Sequence, residues 1–400
     1  MNHALQINND RLKRVARLAQ KHVDAGHFCS AEWRVVHNRE TVSAGMCGLA
    51  DKESGRALPD SPMYRIYSMT KPIVSIAALQ LIERGDLYLP SPVALFIPQF
   101  ADMTVACPHN GPDKPAQNAI TVEHLLTHRS GLSYDFLVDC KVAEKYRERD
   151  LINQIDLTLG EFAEQLASIP LASEPGTAWR YSYSTDVLAR VLEVASGKPL
   201  QQLLDDLIFK PCGMNDTGFT LDDAQTSRLL TMYGQRSLSE EMWNIEGPQT
   251  LTPMPVEKGY PLQSDTFARG GHGLYSSADD YLKFMQVLVD GRTPTGDVLL
   301  SKPMVQMMWR DRIPPVQQPM VIGENQLFGY GWNLFGRVLN DPGQAAFLSS
   351  VGEGGWAGAA ATYFWVDPNT GLSGLSMTQY LGSGIPLGDI IRSAAFQALV

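Results

Sequence analysis

A serine and a lysine three residues apart, Ser68 and Lys71 in Tyr67-Ser68-Met69-Thr70-Lys71-Pro72, are the pair in this chain best suited to chemistry. On a helical turn residues i and i+3 share a face, so the Lys71 amine can approach the Ser68 hydroxyl. A serine hydroxyl is a poor nucleophile near neutral pH, and a buried lysine with a lowered pKa can accept its proton. Such a pair is common in proteins and reads equally as an ordinary helix start. Here it occurs once, with Pro72 in the first turn and an apolar run behind it (Ile73, Ile76, Ala77, Leu79, Leu81, Ile82). That run predicts a buried helix over 72–84, stopped by Gly85, with Ser68 at its N-terminal end.

Other residues compete for a role. Tyr181 stands in a loop just before a helix predicted over 186–196, capped by Ser184 or Thr185 and closed by Gly197. A side chain there can face a cleft, although without Ser68 a packed core tyrosine is the simpler reading. His272 lies among glycines in Gly270-Gly271-His272-Gly273, where it reads as a triad base or as tight backbone packing. His124 and His128 share one face of a short helix that Thr121 caps and Gly131 ends, at metal-ligand spacing. Leu125 occupies the place where a metalloprotease carries glutamate, and no third ligand is suggested, so hydrogen-bonded histidines are expected and no metal.

Length and composition bound the answer. A chain of 400 residues can bury a large core, and two lobes with a cleft are expected. Its 33 basic and 43 acidic residues give a net charge of -10 with no dense Lys/Arg stripe, which argues against nucleic acid. Five widely spaced cysteines without a Cys-x-x-Cys read as reduced thiols. The N-terminal basic helix lacks an export-signal pattern, and no stretch reaches the ~18 apolar residues of a membrane span. A cytoplasmic protein is the expectation.

The elements that must position these residues follow from the patterning. Strand-like runs flank Asn38-Arg39-Glu40 as a hairpin, and return near the end over 330–338, 344–350, 359–366 and 371–379, with a turn at Asp367-Pro368-Asn369-Thr370-Gly371 and a closing helix over 385–399. A helix is also predicted over 278–289. Segment 222–271 is long, proline- and glycine-rich and aperiodic, and is expected to form a pocket wall or lid. The reading is an α/β (α+β) fold: an antiparallel sheet flanked by helices, built from both termini, with an inserted mainly helical lobe. The expected division is a sheet domain of 1–66 and 325–400 and a helical domain of 67–324, with the nucleophile helix at their interface.

Taken together, Ser68-Met69-Thr70-Lys71, the run 125–132, Tyr181-Ser182, Gly270-Gly271-His272-Gly273-Leu274-Tyr275-Ser276 and Trp356-Ala357-Gly358 before Phe364-Trp365-Val366-Asp367-Pro368 resemble the serine β-lactamase-related superfamily. Within it the chain is most similar to family VIII carboxylesterases, relatives of class C β-lactamases and D-alanyl-D-alanine peptidases. The resemblance runs from about residue 30 to the C-terminus. It implies a β-lactamase/transpeptidase-like fold with the active site between sheet and helices. It further implies that Ser68 is the nucleophile, Lys71 its proton acceptor or electrostatic partner, and Tyr181 a general base and later acid. The backbone N–H groups of Ser68 and Ala359 would form the oxyanion hole.

Two departures bear on substrate. Trp356-Ala357-Gly358 stands where lactamases and peptidases usually carry Lys or His, then Ser or Thr, then Gly, so recognition of a substrate carboxylate should be weak while an apolar group gains an aromatic wall. Tyr183 replaces a common asparagine. Trp356, Ala357, Gly358, Tyr183 and His272 are therefore the expected substrate-binding residues. The expectation is a cofactor-free serine carboxylesterase of small or short-chain esters, acting through a Ser68 acyl-enzyme, with weak β-lactam hydrolysis at most. A β-lactamase or D-amino peptide hydrolase, an acyltransferase and a non-catalytic scaffold are the alternatives. Gly-x-Ser-x-Gly is absent, which disfavours an α/β-hydrolase.

Overall fold

The computed structural model describes residues 5–107, 111–234 and 249–400. Helix α1 (Asn9–Asp24) starts where the Asn8 side chain accepts from the Arg11 N–H, and buries Leu12, Val15 and Ala19. Strands β1 (Ser30–His37) and β2 (Glu40–Asp51) form the expected hairpin. Its turn residues Asn38 and Arg39 have φ of 51° and 71°, the left-handed pair whose twist suits a tight hairpin. A short β3 (Arg56–Ala57) completes the N-terminal contribution.

The chain then leaves the sheet. Helix α2 (Thr70–Arg84) has every residue of 70–81 buried and ends at Gly85 with φ 81°, a conformation glycine adopts without a Cβ clash. Helix α4 (Ser184–Ser196) packs on it, α3 (Val122–Leu126) packs on α4, and α5 (Ala278–Asp290), capped by Ser277, leads back towards the sheet. The C-terminal part supplies β4 (Tyr330–Trp332), β5 (Arg337–Leu339), β6 (Gly354–Ala357), β7 (Tyr363–Asp367) and β8 (Leu372–Met377), then α6 (Leu387–Phe396). The sheet order is β4-β5-β6-β7-β8-β1-β2-β3, antiparallel throughout. Pairing of β8 with β1, from Glu32↔Met377 to His37↔Leu372, joins the two ends of the chain. Helices α1 and α6 share one core with Trp33, Val35, Tyr363 and Trp365, while α2 and Tyr281 of α5 share another with Phe364 and Leu375. No helix among the described residues is long and apolar enough to cross a membrane.

Several local expectations change. Segment 344–350 carries no strand, and 359–366 is extended only from Tyr363, because Gly358 to Ala361 form a turn closed by the Ala361 N–H on the Gly358 carbonyl at 3.1 Å. Helix α4 begins at Ser184 without a side-chain cap. Its Ser184 hydroxyl is used instead at 2.7 Å from those of Ser130 and Ser182, and period alone could not reveal that competition.

One buried ion pair ties α6 to the sheet. Arg392, 1% exposed, lies 3.0 Å from Glu353, 0% exposed, just before β6, and also donates to Tyr363 and pairs with Asp389. Removing one partner leaves an uncompensated buried charge, whereas replacing both by apolar groups avoids that penalty. Arg392→Met should therefore lower unfolding free energy by about 3–5 kcal/mol. The double variant Arg392→Met/Glu353→Met should lose less than the single one in urea unfolding. A double variant less stable than Arg392→Met would reject this account of the pair.

Candidate active site

The nucleophile segment is a 3-10 turn, Tyr67–Met69, running directly into α2. Tyr67 has φ 43°, a costly conformation for an aromatic residue, which turns the chain so that Ser68 is half-buried while its neighbours are buried. Three hydrogen bonds fix this turn: Ile66 N–H to Leu274 O (3.1 Å), Leu274 N–H to Thr70 Oγ1 (3.1 Å) and Tyr281 Oη to Met69 O (2.9 Å). One helical turn on, Lys71 is 1% exposed, with Nζ 3.0 Å from Ser68 Oγ and 2.7 Å from the Gly271 carbonyl.

Tyr181 closes the group. Its phenol oxygen accepts from Trp356 Nε1 at 3.0 Å, and the Ser68 side chain lies near enough to favour its ionised form. The rings of His128, Tyr134, Trp332 and Trp356 surround it at centroid distances of 4.8, 5.2, 6.4 and 5.4 Å, so its position is fixed by packing on every side. His128 is one wall of this box, and His124 serves α3 by accepting from the Thr121 N–H. Among the described residues no His/Cys/Asp/Glu group is arranged to hold a metal.

Burial dominates the electrostatics. It pushes the Lys71 amine down to about 7, partly opposed by the carboxylate of Asp186. The same burial raises Asp186, whose Oδ1 accepts from the Gly271 N–H at 2.9 Å. Burial also raises the Tyr181 phenol, although Ser68 and Trp356 act the other way. Lys71 Nζ sits 4.6 Å from the Tyr181 ring centroid and 5.2 Å from that of Tyr134, so it meets the faces of the rings. At neutral pH the free-base amine is accessible beside Ser68, and the phenol keeps its proton.

Ala359 is placed in the turn after β6 rather than on the strand, and among the described residues its N–H donates to no backbone carbonyl. Gly358 allows that turn to press on the nucleophile segment, since a Cβ there would meet Ile66 O at 2.4 Å. Ser68 and Ala359 thus line one cavity of about 590 Å³, together with Tyr181, Trp356, Ala357, Gly358 and His272. Tyr183 does not reach it. Fully buried, it donates to Asp135 and packs on Tyr134, because α4 starts at the next residue and turns this side chain into the helical core. Trp356, expected as a wall, is also the hydrogen-bond partner of Tyr181.

The expected pocket wall lies partly outside the described residues. Residues 235–248 of segment 222–271 lie outside the described residues, and the described remainder does not line the cavity; Tyr260 and Phe267 stand behind His272. Among the described residues the wall comes from Ile322, Leu327, Phe328 and Phe347 and from the stretch 382–389. Sequence reasoning missed these, and also Tyr134, Phe136 and Asp186. Asp186 had one available signal, an acidic residue in the first turn of the helix after Tyr181, but nothing local linked it to Lys71.

A sequence model of the family described as Beta-lactamase matches residues 15–395. The chain is 33% identical to Esterase EstB of Burkholderia gladioli over 375 residues, spanning 90% of this chain and 89% of that protein. It is 30% identical to Lovastatin esterase of Penicillium rubens, over 72% of this chain and 67% of that one. Among solved structures, EstCE1, described as a hydrolase with promiscuous acyltransferase activity, superposes with a TM-score of 0.81 at 26% identity, covering 97% of this chain and 99% of its own. With a matched family model over nearly its whole length and an esterase relative of comparable length, this chain belongs to the beta-lactamase family, as a serine hydrolase close to the family VIII carboxylesterases.

Proposed function

We propose that the protein hydrolyses small or short-chain carboxylic esters through an acyl-enzyme on Ser68. The observation that carries this reading is the buried Lys71 amine, brought to about 7 and held 3.0 Å from Ser68 Oγ. As a free base it accepts the Ser68 proton while Oγ attacks the ester carbonyl. The N–H groups of Ser68 and Ala359 receive the developing oxyanion. Tyr181, beside Ser68 and still protonated, gives its proton to the departing alcohol and recovers one from Lys71. Water then attacks the acyl-enzyme by the reverse proton route.

The cavity supports an uncharged substrate. Trp356 offers an indole N–H in place of a cation, and that donor is engaged by Tyr181. Arg337 and Arg392, which line the far end, are paired with Asp389 and Glu353. An isolated substrate carboxylate therefore meets no unpaired cation among these residues. Transfer of the acyl group to an alcohol is the second reading, supported by the promiscuous acyltransferase activity named for EstCE1.

Three outcomes are expected. First, p-nitrophenyl acetate or butyrate is turned over faster than a chromogenic cephalosporin, and Ser68→Ala abolishes both nitrophenol release and the acyl adduct in intact-protein mass; ester turnover surviving in Ser68→Ala would remove Ser68 from the mechanism. Second, kcat/KM rises with pH about tenfold per unit below the Lys71 pKa and levels above it, since only the neutral amine accepts a proton. Asp186→Asn removes the charge that favours the ammonium form, so this acidic limb should move to lower pH, and an unmoved limb would assign it to another group. Third, Trp356→Phe deletes the donor to Tyr181 and should lower kcat about 10- to 100-fold, the equivalent of one hydrogen bond to a charged group. An unchanged kcat would return Trp356 to the role of a plain aromatic wall.

A further inference from the structure

The loop 269–274 carries one side chain whose chemistry the acylation step leaves unused. Its glycines are dictated by contact: a Cβ at Gly270 would meet Thr185 O at 2.7 Å, and one at Gly271 would meet Asp186 Oδ2 at 2.3 Å. A Cβ at Gly273 would meet Arg269 O at 2.9 Å. These contacts press the loop on α4 and on its own preceding turn. His272 lines the cavity with Ser68, Tyr181 and Ala359. It is 6% exposed, the rings of Tyr260 and Phe267 hold its edges, and neither ring nitrogen has a hydrogen-bond partner among the described residues. Burial, with Lys71 and Arg269 nearby, keeps the imidazole neutral. A neutral imidazole presents one donor and one acceptor, and leaving both unmade in a buried site is costly.

Deacylation needs a hydroxylic molecule beside Ser68. When water attacks, one O–H proton passes to the catalytic base, the oxygen bonds to the acyl carbon, the Ser68 Oγ–carbon bond breaks, and Oγ regains a proton. The second O–H of that water stays intact and needs an acceptor. The reacting hydroxyl of an alcohol has no second proton. We propose that His272 positions the hydrolytic water by accepting this second O–H, and so favours hydrolysis over transfer to an alcohol. This rests on the esterase reading above. Gly271 links the two halves of the cycle, because its carbonyl holds Lys71 and its successor is His272.

The test is a partition experiment on the full-length protein with p-nitrophenyl butyrate in buffer containing 1-butanol, comparing wild type, His272→Leu and His272→Gln. In His272→Leu, kcat for hydrolysis should fall about 10- to 100-fold, the scale of losing one positioned reactant. A nitrophenol burst should appear with acyl-enzyme visible by mass, and the ratio of butyl ester to butyrate should rise. His272→Gln keeps an acceptor oxygen and should restore most of the wild-type ratio. That ratio does not depend on how much of a variant is folded. A ratio unchanged in His272→Leu, or one that Gln fails to restore, would overturn the proposal. Absence of Ser68-dependent nitrophenol release in wild type would instead overturn the esterase reading, and this inference with it.

Discussion

A primary amine kept out of water is the constraint on which the rest of this structure depends. Lys71 is useful beside Ser68 only while burial disfavours its ammonium form, and burial requires apolar surroundings on all sides of the first turns of α2. Over 70–81 α2 is accordingly buried around its whole circumference. Burial also explains why the polar groups allowed near the amine are few: the Gly271 carbonyl, the Ser68 hydroxyl and the Asp186 carboxylate. Asp186 limits how far the pKa falls, and its raised pKa is the reciprocal of the same low-dielectric environment.

The aromatic box around Tyr181 is the second consequence. For a tyrosine in a dry site to exchange a proton, as proposed for Tyr181, it needs a fixed position and few competing partners. Rings of His128, Tyr134, Trp332 and Trp356 supply the first, and the Trp356 N–H is a neutral donor that supports the phenol oxygen without adding charge. The charges that do line the cavity, Arg337, Arg392 and Asp389, are bound to one another or to Glu353 and hold α6 on the sheet.

Much of the architecture was legible in the chain because local rules and global fold agree. The Asn38-Arg39 turn, the α2 stop at Gly85 and the Asp367–Gly371 turn all have short-range causes, and the structure has all three where the patterning puts them. Errors fell where a distant partner outcompetes a local preference. The local pattern marks Ser184 as a cap, yet it bonds Ser130 and Ser182, and marks Ala359 as a strand residue, yet it sits in a turn set by the approach of Gly358 to Ile66.

The sequence by itself determined the residue types that could do chemistry, the helical spacing that puts Ser68 and Lys71 on one face, and the family to which the chain belongs. Those depend on neighbours along the chain or on motif order. Only the tertiary structure decided that Tyr183 belongs to the core, that Asp186 faces the Lys71 amine, that Trp356 donates to Tyr181 and that the cavity wall comes from 322–347 and 382–389. These are contacts between segments far apart in the chain, fixed by how the sheet packs on α5 and on the Tyr67–Met69 turn, and no local periodicity encodes them.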